Sequence, residues 1–309
     1  MSTDSAPVVL VPLDGSALAE GALWVAARVA RGLRGVLHLV SVRTPDADGP
    51  DLGQRDLREY LATKADEVAT THGVRCECAV LHGWPPEAVA RHAGAAGGCL
   101  VILTAHGQSG VSRSWIGSTT EGVLARAQVP VLVLRPGLGP PRARFDHVLV
   151  AMDHSAGAAT VLKQALLLRA AERPPAYTLA QVLEPRAGRS RKPDETDDLE
   201  RRMAEATRML ERAASRLRKR GLAVTTQVVV GANVADQLME LGRALKCDVI
   251  AIGSQSRHPT ARLPLGKVAD KVLRGAAQPI LIVPVAREAA RRVAHPRRLS
   301  AGVRRRHPA

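Results

Sequence analysis

Apolar residues in this chain come in short unbroken runs, separated by longer stretches in which they recur every three or four positions. Runs such as "VVLVP" at 8–12, "CLVIL" at 99–103 and "VLVL" at 131–134 do not alternate with polar residues, so they read as strands covered on both faces. In the first half the pattern predicts strands at 8–13, 36–42, 74–81, 99–104 and 129–134. In the second it predicts them at 147–152, 177–183, 222–230, 248–253 and 279–284. Amphipathic spacing between the runs predicts helices, so each half alternates strand and helix, which implies a parallel sheet with helices on both faces. The fullest helical pattern is at 194–220. Leu199, Met203, Ala206, Leu210, Ala213 and Leu217 form one apolar stripe. Asp194, Glu195, Asp197 and Asp198 lie at its start, Arg218, Lys219 and Arg220 at its end, and Gly221 stops it.

The pattern repeats. "VVLVPLDGSALAEGALWVAARVA" at 8–30 returns as "HVLVAMDHSAGAATVLKQALLLR" at 147–169, which aligns Asp14 with Asp153; "VPVLVLRP" at 129–136 returns as "QPILIVPV" at 278–285. The added residues lie in the longer middle of the second half. Between the halves, "RPGLGPPRAR" at 135–144 holds three Pro and two Gly and supports neither period. The expected organisation is one α/β domain at 1–138, a second at 145–286 and a C-terminal segment at 287–309. Each domain is a doubly wound five-stranded parallel sheet.

Charge refines this division. Of a formal net charge of +15, residues 1–140 hold 12 basic and 13 acidic side chains, 141–286 hold 24 and 15, and 287–309 hold 8 and 1. The last segment lacks an apolar period and is expected to be a solvated tail, the place for any contact with a polyanion. Apolar runs are far shorter than the ~18–20 residues needed to cross a bilayer, and "MSTDSAPVVL" lacks a basic flank and apolar core, so a soluble cytoplasmic protein with no membrane contact is expected. Cys76, Cys78, Cys99 and Cys247 have no metal-ligand spacing and are expected to be buried thiols. Cys76 and Cys78 sit two apart on one strand face, where a redox pair is the sharper alternative.

Candidate chemistry lies where the fourth strand gives way to a helix. In a doubly wound sheet a ligand binds beyond the carboxyl ends of the strands, where connections diverge to opposite faces. The loop after the first strand brings Asp14 and Ser16 there. The loop after the fourth, "HGQSGVSRSWIGSTTEG", brings Gly107 and Gly117, whose backbone could approach an anion, and hydroxyls at a helix start. No Ser/His/Asp or Cys/His spacing argues for a nucleophile, and "PLGKVAD" at 264–270 lacks the residues of a Walker loop. Binding rather than catalysis is expected.

Both halves resemble the universal stress protein family over nearly all of residues 7–285. The resemblance rests on Thr104-x2-Gly107-x9-Gly117-Ser118, against the family's G-x2-G-x9-G-S/T, together with Asp14 in "VPLDGS". It implies the family's α/β fold, of the adenine-nucleotide alpha-hydrolase type, and ATP as the ligand, with or without Mg. Carried over residue by residue, Val42 would face the adenine and Pro12, Leu13 and Asp14 the adenosine. Gly107, Gly117, Ser118 and Thr120 would line the phosphates; Thr104, His106 and Thr119 belong to the same candidate binding set, with His106 reading first as a loop residue turned to solvent. In the second half the corresponding residues are Asp153, Val182, Gly253, Gly266 and Lys267, with Ser256 at the second glycine and Lys267 at the hydroxyl, so that site is expected to be degenerate. Thr104 replaces the family's first glycine, and a β-branched residue tolerates positive φ poorly, so reduced affinity is expected.

The resemblance further implies a regulatory role in stress response through nucleotide-dependent contact with a partner, and weak hydrolysis of ATP stays open. It also implies pairing of the two domains through the fifth strands, 129–134 and 279–284, with further homodimerisation as an option. Two other classes compete. A tandem scaffold that binds no nucleotide is the main one. An adenylating enzyme lacks its phosphate loop here, since "DGSALAE" has only one Gly. With aromatics at 2% of the chain, a base-stacking platform is not expected.

Overall fold

The computed structural model describes residues 6–44, 54–95, 98–105, 116–137, 145–155, 157–170, 174–185, 193–254 and 265–285. His106, Gly107, Ser256, the segment 138–144 and the basic tail lie outside them, as does the side chain of Cys99. The first half contributes strands β1 (Val8–Pro12), β2 (Val36–Arg43), β3 (Arg75–His82), β4 (Gly98–Thr104) and β5 (Val131–Leu134). The second contributes β6 (His147–Ala151), β7 (Ala176–Leu183), β8 (Val224–Val230), β9 (Val249–Gly253) and β10 (Ile280–Val283). All ten strands fall where the apolar runs predict them.

The strands join in one sheet ordered β3-β2-β1-β4-β5-β10-β9-β6-β7-β8. Pairing within each half is parallel. β5 and β10 are antiparallel, with Val133, Leu132 and Val131 opposite Ile280, Leu281 and Ile282. Those two strands are wholly buried, whereas β3 and β8, at the ends of the sheet, are mostly half-buried or exposed. Edge position corrects the expectation for two thiols: Cys247 is buried, but Cys76 is half-buried and Cys78 exposed. Burial still pushes the Cys76 thiol up to about 11 and that of Cys247 to about 12, which disfavours the thiolate that redox chemistry needs.

Successive strand residues face opposite sides, and each side carries its own helices. Val9 and Val11 pack with α2 (Leu23–Gly32), α3 (Gln54–His72), α6 (Ala158–Ala165) and α7 (Pro193–Arg218). Leu10 and Val101 pack with α4 (Pro85–Ala95), α5 (Ser118–Arg126), α8 (Val234–Ala244) and α9 (Lys267–Gly275). The short α1 (Ala17–Glu20) precedes α2, and a 3-10 turn (Leu166–Ala170) follows α6. Each apolar layer includes residues of both halves.

One apolar stripe differs from its expected course. On α7 the buried residues are Ala206, Leu210, Ala214 and Leu217, while Met203 is 36% exposed and Ala213 only partly covered. A straight helix turns every 3.6 residues, so the covered stripe steps by four, four and three and drifts off the tighter spacing read from the sequence. The helix ends as expected: Gly221 adopts φ +78° and the Leu222 amide donates to the Leu217 carbonyl at 3.2 Å, the Schellman arrangement.

Candidate functional site

Parallel pairing places the carboxyl ends of β1, β2 and β4 on one rim. β1 lies between the other two, so connections leave it in opposite directions: α1 and α2 cover one face, while β4 leads to α5 on the other. The Leu13 amide donates to the Val40 carbonyl at 2.7 Å, extending β1 by one bond. The chain then turns at Gly15, φ +81°, where no atom lies within 4 Å of an added Cβ. Asp14 Oδ1 accepts from the Ser16 amide (3.0 Å) and hydroxyl (2.6 Å), and Ser16 Oγ accepts from the Ala19 amide at 3.2 Å, capping α1. This fixes the exposed Asp14 carboxylate and leaves Oδ2 without a partner among the described residues.

Thr104 ends β4. It is 9% exposed and its hydroxyl has no hydrogen-bond partner among the described residues. An orphan of this kind costs about 1–3 kcal/mol, so it marks a place where a partner is missing. Thr104 is not among the residues with positive φ, nor is Gly253, its counterpart in β9. The expected backbone penalty at Thr104 therefore does not arise: both positions are ordinary strand backbone.

Gly117 caps α5 with φ −57° and ψ 149° and supplies no side-chain acceptor to the first-turn amides. Ser118 and Thr119 are exposed, whereas Thr120, expected beside them, is buried at 3%. Glu121 is drawn away, its Oε1 lying 2.6 Å from Arg274 on α9. Pro12 and Val42, at the ends of β1 and β2, are half-buried.

The second half repeats the frame. The Met152 amide donates to the Ala180 carbonyl at 2.7 Å, and Asp153 Oδ1 accepts from the Ser155 amide (3.0 Å) and hydroxyl (2.5 Å). Gly266 caps α9 with φ −63° and ψ 152°, again without a side-chain acceptor, and Lys267 is exposed in the first turn. Val182 is half-buried on β7.

What fills the frame differs. Val285, just beyond β10, packs between the start of α6 and the end of β9. A Cβ on Gly157 would meet its Cγ1 at 2.2 Å, and one on Gly253 would meet its Cγ2 at 3.1 Å and Val161 Cγ2 at 3.2 Å. By the repeat, Gly157 stands where the first half has Leu18, and Val285 where it has Pro136. The glycine that the second half keeps at 253 thus accommodates a valine of its own chain. Sequence reasoning did not single out Val285 or Gly157; the visible signal was the exchange of Leu18 for glycine within the aligned repeat.

Among the described residues, no group of three or more His, Cys, Asp or Glu is placed to hold a metal ion, and no helix is long and apolar enough to cross a membrane.

Known proteins share this architecture. A crystal structure of a universal stress protein from Archaeoglobus fulgidus DSM 4304 aligns with a TM-score of 0.61 at 19% identity, over 91% of this chain and 97% of that one. A functionally unknown protein from Pseudomonas aeruginosa PAO1 aligns with a TM-score of 0.66 at 16% identity, over 90% and 92%. At these identities the likeness is one of fold. In sequence, a universal stress protein of Synechocystis sp. is 31% identical over 127 residues, a match that spans 41% of this chain and 42% of the relative's length. The universal stress protein family matches twice, at residues 7–135 and 144–284, so the chain belongs to that family.

Proposed function

We propose that this protein is a regulatory ATP-binding protein whose working site lies in the first half, at the carboxyl ends of β1, β2 and β4. The observation that carries the reading is the buried hydroxyl of Thr104, without a partner among the described residues, at the strand end that leads to α5, whose glycine cap supplies no side-chain acceptor. Helix N-termini carry partial positive charge and free amides, which suit a phosphate chain. The residues present fit such a group. The first-turn amides of α5 and the hydroxyls of Ser118 and Thr119 would hold phosphates, with Gly107 assigned to them by the family pattern. The fixed carboxylate of Asp14 would accept from ribose hydroxyls, and Pro12 and Val42 would flank the adenosine, whereas Leu13, 3% exposed and packed in the core, offers it no side chain. Bound ATP would supply negative charge and order to this rim, and the protein's response would be altered contact with a partner rather than turnover.

The second half is assigned a supporting role. Val285 takes up space beside Gly253, and Lys267 places an ammonium at the start of α9. The antiparallel β5–β10 pairing supports a pseudo-dimer within one chain, covering two apolar strands that would otherwise be sheet edges. Polyanion contact is assigned to residues 287–309, which carry 8 basic side chains and 1 acidic. Mass spectrometry of the ligand released on denaturing never-refolded protein tests the reading. Adenine nucleotide at close to one per chain is expected. None released, and none rebound on adding ATP, would favour the scaffold reading.

A further inference from the structure

The two halves also differ on the sheet face away from α5 and α9. In the first half, α1 and α2 close against α3. The Tyr60 hydroxyl donates to Glu20 Oε1 at 2.9 Å, Lys64 Nζ lies 3.2 Å from Glu20 Oε2, and Trp24 meets the His72 ring edge-on. In the second half, a cleft of about 760 Å³ runs between α6 and α7.

The buried stripes set the correspondence. Leu61, Ala65 and Val68 on α3 match Leu210, Ala214 and Leu217 on α7, while Ala22, Ala26 and Val29 match Val161, Ala165 and Leu168. Glu20, Tyr60 and Lys64 are therefore replaced by Ala159, Met209 and Ala213, so every group that ties the first seam together is absent from the second. The rim changes sign as well: Glu59, Thr63 and Glu67 become Arg208, Arg212 and Arg216, and Trp24 becomes Lys163.

These cations are exposed, and among the described residues none of the three arginines nor Lys163 forms an ion pair or a side-chain hydrogen bond. The arginines recur every four residues, so they stand in a row about 6 Å apart along the helix axis. Leu162, Met209 and Ala213 form an apolar floor beside them. With Arg220 added, and Asp153 and Glu205 set against them, the charged groups lining the cleft are five basic and two acidic, so an apolar floor lies under an excess of positive charge.

From this we infer that the α6–α7 cleft binds an acidic amphipathic helix of a partner protein, its apolar face on the floor and its carboxylates along the arginine row. A second helix laid along α7 repeats its acidic residues at the same four-residue interval, so the charges meet in register, and its apolar stripe covers the floor. Nucleic acid fits less well, because the cleft offers no aromatic platform beyond His154 and a phosphate backbone would leave the floor wet. The chain's own basic tail is excluded by like charge. One end of the cleft is lined by Met152, Asp153, His154 and Ser155 of the second-half turn, but none of the first-half strand ends takes part, so this binding stands or falls apart from that of ATP in the first half.

Fluorescence anisotropy on the full-length protein tests it. The probe is a labelled helical peptide of Leu, Ala and Glu, about 18 residues long to span the cleft. The comparator is a permuted peptide of equal composition with its apolar face scattered. The patterned peptide is expected to bind in the micromolar range, and Arg208→Glu with Arg212→Glu to weaken it at least about tenfold, as the loss of close charge pairs does. Both arginines are exposed, and circular dichroism checks that the variant keeps its fold. Arg297→Glu with Arg298→Glu, in the tail, should leave binding unchanged. Equal binding of the permuted peptide, loss of binding with the tail variant only, displacement by oligo(dT) more readily than by unlabelled peptide, or no binding at all would each overturn the inference.

Discussion

At the end of its fourth strand the first half carries Thr104, whose hydroxyl has no partner among the described residues, while the second carries Gly253, against which Val285 packs. Everything that positions these residues is duplicated. The bond that extends the first strand, the Asp–Ser turn and the uncapped helix glycine recur almost atom for atom. The two halves therefore share the backbone frame and differ in the volume inside it, with Leu18 and Pro136 in one half standing where Gly157 and Val285 stand in the other. The half that keeps the family's glycine at the strand end gives the adjoining space to its own valine.

The comparison holds only if the halves fold as one body, and the largest expected effect tests that. Leu132 and Leu281 face each other across the antiparallel seam and are fully buried. Truncating either to alanine should cost about 2–5 kcal/mol. Urea denaturation should give a single shifted transition of similar size for both. A separate early transition for one half would break the account of a continuous sheet.

Smaller is the effect of opening the second-half crevice. Val285→Ala removes the two methyl groups packed against Gly157 and Gly253, and should cost about 1–2 kcal/mol. Unchanged thermal stability would mean that Val285 does not fill the crevice. Smaller still is Tyr60→Phe. Burial, then the bond to Glu20, keep this phenol protonated well above its usual range, so it stays a donor, and losing that bond should cost about 0.5–1.5 kcal/mol. Met209→Leu, at the corresponding place in the open seam, should be close to neutral. Equal losses at the two positions would erase the distinction between a closed seam and a cleft.

The strands were legible because a strand buried on both faces must be apolar throughout, and the repeat was legible because Asp14 and Asp153 open identical turns. The site was legible in part. Asp14, Gly117 and Ser118 lie where the motif puts them, at the rim or the helix start, but the motif cannot say that Thr120 turns inward, nor that Thr104 keeps ordinary strand dihedrals. Val285 was hidden for a different reason. It lies more than 120 residues from Gly157 and Val161, and a contact made across a crevice leaves no local periodicity. The cleft was hidden likewise, since Arg208, Arg212 and Arg216 on their own read as the solvated side of an amphipathic helix.

The most direct test of the two unequal halves is isothermal calorimetry of ATP binding to the full-length protein and two matched variants. Gly117→Val and Gly266→Val place the same side chain at the same cap of α5 and α9. The account predicts that Gly117→Val weakens binding by at least about a hundredfold, the loss of two or more amide–phosphate bonds, while Gly266→Val leaves affinity and a stoichiometry of one per chain unchanged. Binding that survives Gly117→Val and disappears with Gly266→Val would contradict it.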